Sequence, residues 1–400
     1  MRSVGICGIG HTKFGEYPGS FLTMLCQAAL EAMDDAGTSG GPHHVIDQIL
    51  VSTMGAGILN HQSGVASAVA DALALCPAMA ETVENGPASG GSALKLGYMA
   101  IASGLCDCVL VVGGDQMTRV PGPVATDFVA TMLHPEAEYR LGLTLPAFVG
   151  MFTRLLMDKN GITPRDLALL AVKNHANAML NPLAQLHKPV ALSDLMDKTE
   201  TRRRDRIIAD PLRLYDACPI SDGAAAAVLC AMDRTQALGL RTPVRIAGIA
   251  SATDTHVVAN RADPTRLDAV RISAQHAYQM AGLHPADVDV AELHDAFLIL
   301  ELAESEEAGL FPRGTSHLAL RRGETAIGGR LPINPSGGLK AKGHPLGATG
   351  ISQVVELVHQ LRGEAGERQV PGARTGLAIN FGGFGNNVVS TLVTTRKEDA

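Results

Sequence analysis

Two histidines stand where they could move protons. His344 lies in the segment NPSGGLKAKGHPLGATG, residues 334–350, whose five glycines permit tight turns and close backbone approach to a ligand. It sits in a Gly-His-Pro turn just ahead of a helical pattern, where the helix dipole disfavours a charged imidazole. A neutral imidazole can accept a proton or share one in a hydrogen bond. His294 lies in ELHDAF, at the end of a strand and beside Asp295. Strand ends in open α/β sheets are where ligands bind. The plainer readings are a structural turn at His344 and an Asp295 that caps the following helix. Asn380, in AINFGGFGNN, precedes a glycine turn whose backbone N–H groups could face a ligand. A simple hairpin is the alternative there, and it suits Asn386 and Asn387.

A fourth segment has the setting for chemistry without the reagent. VENGPASGGSALKLGYMAIASG, residues 83–104, is a small-residue turn that opens a helix, where a nucleophile would feel the positive end of the helix dipole. The residue at the turn is Pro87. Proline has no nucleophile and no backbone N–H, although it suits the first position of a helix.

The elements that must hold these residues alternate between short apolar strands and helical patterns, the signature of α/β architecture. A strand over residues 4–8 leads to a helix over 20–36, with Leu22, Leu25, Ala29 and Met33 on one stripe. Residues 46–54 form the next strand. The helix after Pro87 leads into CDCVLVVGG. The pattern breaks between residues 120 and 206, where helices over 147–159 and 163–181 read as an inserted cap. Strand character resumes over 217–232. A second half begins near Pro243 with a strand, a helix over 263–281, the strand carrying His294, a glycine turn, a helix, and a final strand pair. The central helices, starting near Ala88 and Gly347, hold equivalent places. This weak duplication predicts two similar layered α/β halves, residues 1–119 plus 207–240 and residues 241–400, with the cap over 120–206.

Composition narrows the function. With 46% hydrophobic and 18% charged residues, the chain is globular. A net charge of −7 argues against general nucleic-acid binding, and the absence of tryptophan argues against stacking platforms for single strands. Seven cysteines, at 7, 26, 76, 106, 108, 218 and 230, lack the spacing of a disulfide framework. They read as small core residues in a reducing cytoplasm, and no metal site is expected of Cys106 and Cys108. The N-terminus lacks the features of a signal peptide, and no apolar run is long enough to span a membrane.

NPSGGLKAKGHPLGATG, HDAF, CPISDGAAA and NFGGFG together resemble motifs of the thiolase superfamily. The resemblance is to the subgroup of sterol-carrier-protein thiolases and archaeal acetyl-CoA acetyltransferases, and it covers essentially the whole chain. It implies the thiolase fold, layered αβαβα, with the cap answering to the loop domain. It implies a coenzyme A thioester as substrate and no covalently bound cofactor. The family's nucleophilic cysteine falls at Pro87, and its second, acid/base cysteine at Ala296 or Asn380. Both are vacant. Of the two backbone donors that hold the acyl-enzyme oxygen, Gly382 matches one, and Pro87 cannot supply the other.

The resemblance carries the family's enolate-stabilising histidines onto His294 and His344. His344 then polarises the thioester oxygen, His294 assists or serves as acid/base, and Asn380 orients substrate or water. The implied reaction is retro-aldol cleavage of a 3-hydroxyacyl-CoA through an enolate, without an acyl-enzyme. Thiolase-like aldolases of this kind act on steroid side chains with a small OB-fold partner, though with tyrosines where this chain has histidines. Three alternatives stay open: an acyltransferase whose nucleophile comes from a partner subunit, a decarboxylase of malonyl-type thioesters, and a non-catalytic subunit. The family also implies a homodimer and a coenzyme A site between cap and core. Arg202, Arg203, Arg204 and Arg206 could meet its phosphates, unless they form a solvated charge run, and Ser251 matches a position near the pantetheine.

Overall fold

The structure is a computed structural model and describes residues 1–38, 45–196 and 206–396. The N-terminal half contains β1 (Val4–His11), α1 (Phe21–Asp35), β2 (Gln48–Ser52), β3 (Met79–Val83), α2 (Ser89–Ala102) and β4 (Cys108–Asp115). The cap follows, with α3 (Gly122–Ala130), α4 (Leu145–Asn160) and α5 (Pro164–Met179), and the half closes with β5 (Gly223–Ala231). The C-terminal half contains β6 (Val244–Thr253), α6 (Asp268–Ala281), β7 (Val290–Glu292), α7 (Leu298–Glu307), α8 (Gly338–Lys342), α9 (Leu346–Arg362), β8 (Thr375–Gly382) and β9 (Asn387–Thr394).

The duplication legible in the sequence is a duplication of topology. The sheet runs β3-β2-β4-β5-β1-β6-β9-β8-β7. Read outward from the centre, β1-β5-β4-β2-β3 matches β6-β9-β8-β7, and a parallel bridge from Ala291 to Ile333 takes the place of a fifth strand. The halves join where Gly5 and Ile6 of β1 pair with Arg245 and Val244 of β6. Helices α2 and α9 pack against each other and against strands of the sheet, while α1 covers one half and α6 the other. Strand alternation explains why β4 is apolar from Cys108 to Val112. Val109 and Val111 pack with Leu94 of α2 and Ile351 of α9, whereas Leu110 and Val112 pack with Met24 and Leu25 of α1.

Glycine lets the two central helices meet. A Cβ on Gly350 would land 2.7 Å from Asn380 Cγ, and one on Gly90 would land 3.0 Å from Gly347 O. The helix starts therefore abut backbone to backbone, which no larger residue permits.

Several boundaries move from the sequence expectation. The strand expected over 46–54 spans Gln48–Ser52, the helix expected from 263 starts at Asp268, and strand character after the cap begins at Gly223. The cap helices lie close to their expected bounds. β7 stops at Glu292, short of His294, because side chains replace the ladder there. Asn334 Oδ1 accepts from Leu293 N at 2.8 Å, and Glu304 accepts from His294 N at 2.8 Å. Pro87 is not the first helical residue: α2 begins at Ser89, with Ala88 at its cap. The cysteine expectation is also corrected. Cys7 and Cys230, on neighbouring strands β1 and β5, are joined as a disulfide. Cys26, Cys76, Cys106, Cys108 and Cys218 are free thiols. Among the described residues, no helix is long and apolar enough to cross a membrane.

Candidate active site

The turn before α2 is held from both sides. Asn85 N donates to Ser89 Oγ at 2.8 Å, and Ser89 N donates to Gly86 O at 3.1 Å. From the other half of the molecule, Asn380 Oδ1 accepts from Gly91 N at 2.9 Å, and Asn380 Nδ2 donates to Pro87 O at 2.9 Å. One of the free N–H groups at the N-terminus of α2, that of Gly91, is thus satisfied by a side chain from the other half. Asn380 is buried, with both ends of its amide occupied in clasping the Pro87 turn. Gly382 ends β8 against that turn, and a Cβ on it would lie 3.0 Å from Ala88 Cβ.

His294 and His344 come together although 50 residues separate them in sequence. Their rings meet edge to face at 88°, with centroids 4.8 Å apart. His344 N donates to Ser221 Oγ at 3.0 Å, and His344 Nδ1 lies 2.7 Å from Thr349 Oγ1 in the first turn of α9. His294 Nδ1 lies 3.4 Å from both Phe381 N and Asn380 Nδ2. Burial is the cause that keeps both imidazoles neutral: it pushes His344 down to about 3 and, helped by the neighbouring His344, takes His294 well below the ordinary histidine range.

Beneath them lies a buried polar network that the sequence reading did not identify. Asp295 accepts from Asn174 Nδ2 at 2.7 Å and from Leu339 N at 2.6 Å. It therefore caps α8, and not the helix that follows it in sequence. Gly338 is required for that seat, since a Cβ there would lie 2.7 Å from Asp295 Cγ. Burial and the neighbouring Glu301 raise the Asp295 carboxyl to about 7. Glu301 pairs with Lys173 of α5, which ties the cap to the core, and accepts from Asn334 Nδ2 at 2.9 Å. Burial lifts Glu304 well above the carboxylate range, so a neutral carboxyl supports the His294 backbone. The only signal in the sequence was polar residues on otherwise apolar helix faces, which a solvated face would also produce.

Pro87, His294 and His344 open into one cavity between cap and core, enclosing about 940 Å³ with its mouth included. The cap supplies Val129, Leu145 and Val149, and the core supplies Phe297, Phe381 and Phe384. No Asp, Glu, Lys or Arg lines it among the described residues. Such an apolar wall strengthens any hydrogen bond to charge developing inside. Ala296 presents only a methyl group there. Cys218 also lines the cavity, a free thiol that the sequence reading left in the core. Burial pushes it up to about 12, so it is a thiol and not a thiolate at neutral pH.

The remaining expected residues fall elsewhere. Ser251, on β6, accepts from Lys95 Nζ at 2.6 Å and is not among the residues lining the cavity. Arg202, Arg203 and Arg204 lie outside the described residues, and Arg206 is exposed. Among the described residues, no group of three or more His, Cys, Asp or Glu side chains is arranged to hold a metal ion.

Known proteins resemble the chain along its whole length. Residues 4–233 match the thiolase N-terminal domain and residues 250–395 the thiolase C-terminal domain-like family. The chain is 43% identical over 386 residues to an acetyl-CoA acetyltransferase of Methanothermobacter thermautotrophicus, a match covering 96% of this chain and 97% of that one. It is 34% identical over 415 residues to sterol carrier protein 2 of Homo sapiens, covering 98% and 72%. Among solved structures, the Ltp2-ChsH2(DUF35) aldolase superposes with a TM-score of 0.81 at 27% identity, covering 99% of each chain. With both halves matched and the duplicated topology in place, this chain belongs to the thiolase superfamily and is an acyl-CoA enzyme of acetyltransferase or aldolase type.

Proposed function

We propose that this enzyme cleaves a 3-hydroxyacyl-CoA by a retro-aldol reaction, without a covalent acyl-enzyme. The observation that carries this reading is the pairing of two neutral, buried imidazoles with a proline at the nucleophile's place, all facing one apolar cavity. In the reaction the substrate's 3-hydroxyl loses its proton and the C2–C3 bond breaks. The 3-oxygen and C3 leave as an aldehyde or ketone. The electron pair of the broken bond passes into the thioester as an enolate, and C2 then takes up a proton to give the shortened acyl-CoA. The protein must accept one proton, stabilise one enolate oxygen and return one proton. Two imidazoles suffice for that, and no nucleophile enters.

The TM-score of 0.81 to an aldolase supports this reading. That aldolase is a complex with a DUF35 protein, and a partner of that kind, together with a homodimer, belongs to the proposal. Strand β3 ends the sheet and leaves an edge for pairing. The coenzyme A arm would enter between cap and core. The acetyltransferase reading draws on the 43% identity above, and Pro87 stands against it.

The test is incubation of the purified protein, alone and with such a partner, with 3-hydroxyacyl-CoA thioesters. Release of an aldehyde or ketone together with an acyl-CoA is the expected result. Thiolysis of acetoacetyl-CoA by free CoA, or CO₂ release from malonyl-CoA without any aldol cleavage, would replace it with the acyltransferase or the decarboxylase.

The state of the imidazoles sets the pH dependence. Both are active when neutral, and their pKa values are depressed, so protonation removes activity only well below the usual histidine range. Measured kcat/KM should therefore stay flat from pH 7 down to pH 5. An acid limb centred near pH 6.5 that persists in Asp295→Asn, and so does not come from the Asp295 carboxyl raised to about 7, would mean that the working histidines are exposed to solvent.

A further inference from the structure

We infer that His294 and His344 hold opposite tautomers fixed by their buried partners, and that Thr349 is the positioning residue that leaves His344 Nε2 bare as the proton acceptor while His294 presents an Nε2–H to the enolate oxygen. The division rests on the lyase reading for its use, but not for its geometry.

Hydrogen counting carries the argument. The Thr349 hydroxyl has one hydrogen. Its oxygen lies 2.8 Å from Pro345 O, a carbonyl that can only accept. With the hydroxyl hydrogen committed there, Thr349 Oγ1 meets His344 Nδ1 as an acceptor, at 2.7 Å. His344 Nδ1 must then carry the ring's one proton, and Nε2 is left with a lone pair. The partners of His294 are of the opposite kind. Phe381 N–H can only donate to His294 Nδ1. The Asn380 amide is oriented by its other contacts: Oδ1 accepts from Gly91 N, so Nδ2 is the end that faces both Pro87 O and His294 Nδ1. Two donors converge on His294 Nδ1. A proton there would face two others, so it belongs on Nε2.

The pair then completes the reaction without a third group, with the two roles implied by the family resemblance exchanged. His344 Nε2 takes the proton of the substrate's 3-hydroxyl as the C2–C3 bond breaks, and becomes an imidazolium. His294 Nε2–H donates to the thioester oxygen as it gains charge. The imidazolium returns its proton to C2 of the enolate, which restores both tautomers. Thr349 is not among the residues lining the cavity, so it acts only through His344.

The experiment is long-range ¹H–¹⁵N correlation of the intact protein labelled in its histidines, with resonances assigned from the His294→Gln and His344→Gln spectra. The expected wild-type spectrum has His344 protonated at Nδ1 and His294 at Nε2, and needs no substrate. Thr349→Val should lose the Nδ1 preference of His344 and lower kcat about 10- to 100-fold with little change in KM, whereas Thr349→Ser retains both. His344 protonated at Nε2 in the wild type would overturn the inference, and so would a Thr349→Val enzyme with wild-type tautomers and kcat. The predicted spectrum in a protein that cleaves no 3-hydroxyacyl-CoA would uphold the proton assignment and remove the lyase reading.

Discussion

Replacing His344 with glutamine should lower kcat for 3-hydroxyacyl-CoA cleavage by about 10²- to 10⁴-fold, the range over which a general base contributes. The same change at His294 should do less, about 10- to 100-fold. Glutamine is close to histidine in size and keeps an N–H donor, but its only acceptor is a weakly basic carbonyl. It can therefore stand in for an imidazole that donates to an oxyanion, and not for one that takes a proton. His294→Ala, which removes the donor altogether, should fall to the 10²- to 10³-fold loss typical of a missing oxyanion contact. Steady-state kinetics on the three variants, with thermal unfolding to confirm that each is folded, checks the order. A His294→Gln enzyme more damaged than His344→Gln would reverse the two roles, and wild-type rates in both would end the enolate account.

What the sequence made legible follows from what each signal depends on. The glycines of 334–350 are legible because a tight turn and a close helix approach admit few other residues, as Gly338 and Gly350 show by the atoms a Cβ would strike. The two halves are legible because strand and helix periodicity are local. Partner choice is not local. Asn380 reads from sequence as a residue beside a ligand, yet its amide joins the Pro87–Gly91 turn to His294, two segments far apart in the chain. Asp295 caps a helix that begins 43 residues later, not the one beside it. Cys218 gives no local sign that its thiol reaches the cavity, and Cys7 and Cys230 meet only because β1 and β5 are neighbours in the sheet. Thr349 carried no signal beyond its place in a glycine-rich motif. Its value lies in a single hydroxyl hydrogen already committed to Pro345 O.

If the proposed lyase reading holds, introducing a thiol at the Pro87 turn should change the chemistry from non-covalent to covalent, though not to a complete thiolase cycle. Pro87→Cys restores a nucleophile and a backbone N–H together, in a cavity where His344 Nε2 stands ready to take the thiol proton. Exposed to an acyl-CoA, the variant should trap one acyl group per chain, visible by intact-protein mass spectrometry, while the wild type traps none. The clasp survives the change, because Asn380 Nδ2 holds the carbonyl of residue 87 and not its side chain. Loss of the proline ring should lower stability by only about 0.4–1 kcal/mol. Deacylation is a separate matter. Thiolysis needs a second acid/base to deprotonate free CoA, and the two places that the family resemblance assigns to one hold Ala296 and Asn380. Neither side chain titrates, so the adduct should persist and steady-state thiolysis should remain within about tenfold of the wild-type background. Putting a cysteine at Asn380 as well would not repair this cleanly, because the amide that clasps the turn and fixes His294 would be gone. The decisive control is the wild type with Cys218 present and with Cys218→Ala. An acyl group on wild-type protein that vanishes in Cys218→Ala would mean that the cavity thiol is the nucleophile, and the proline would no longer mark the end of covalent catalysis.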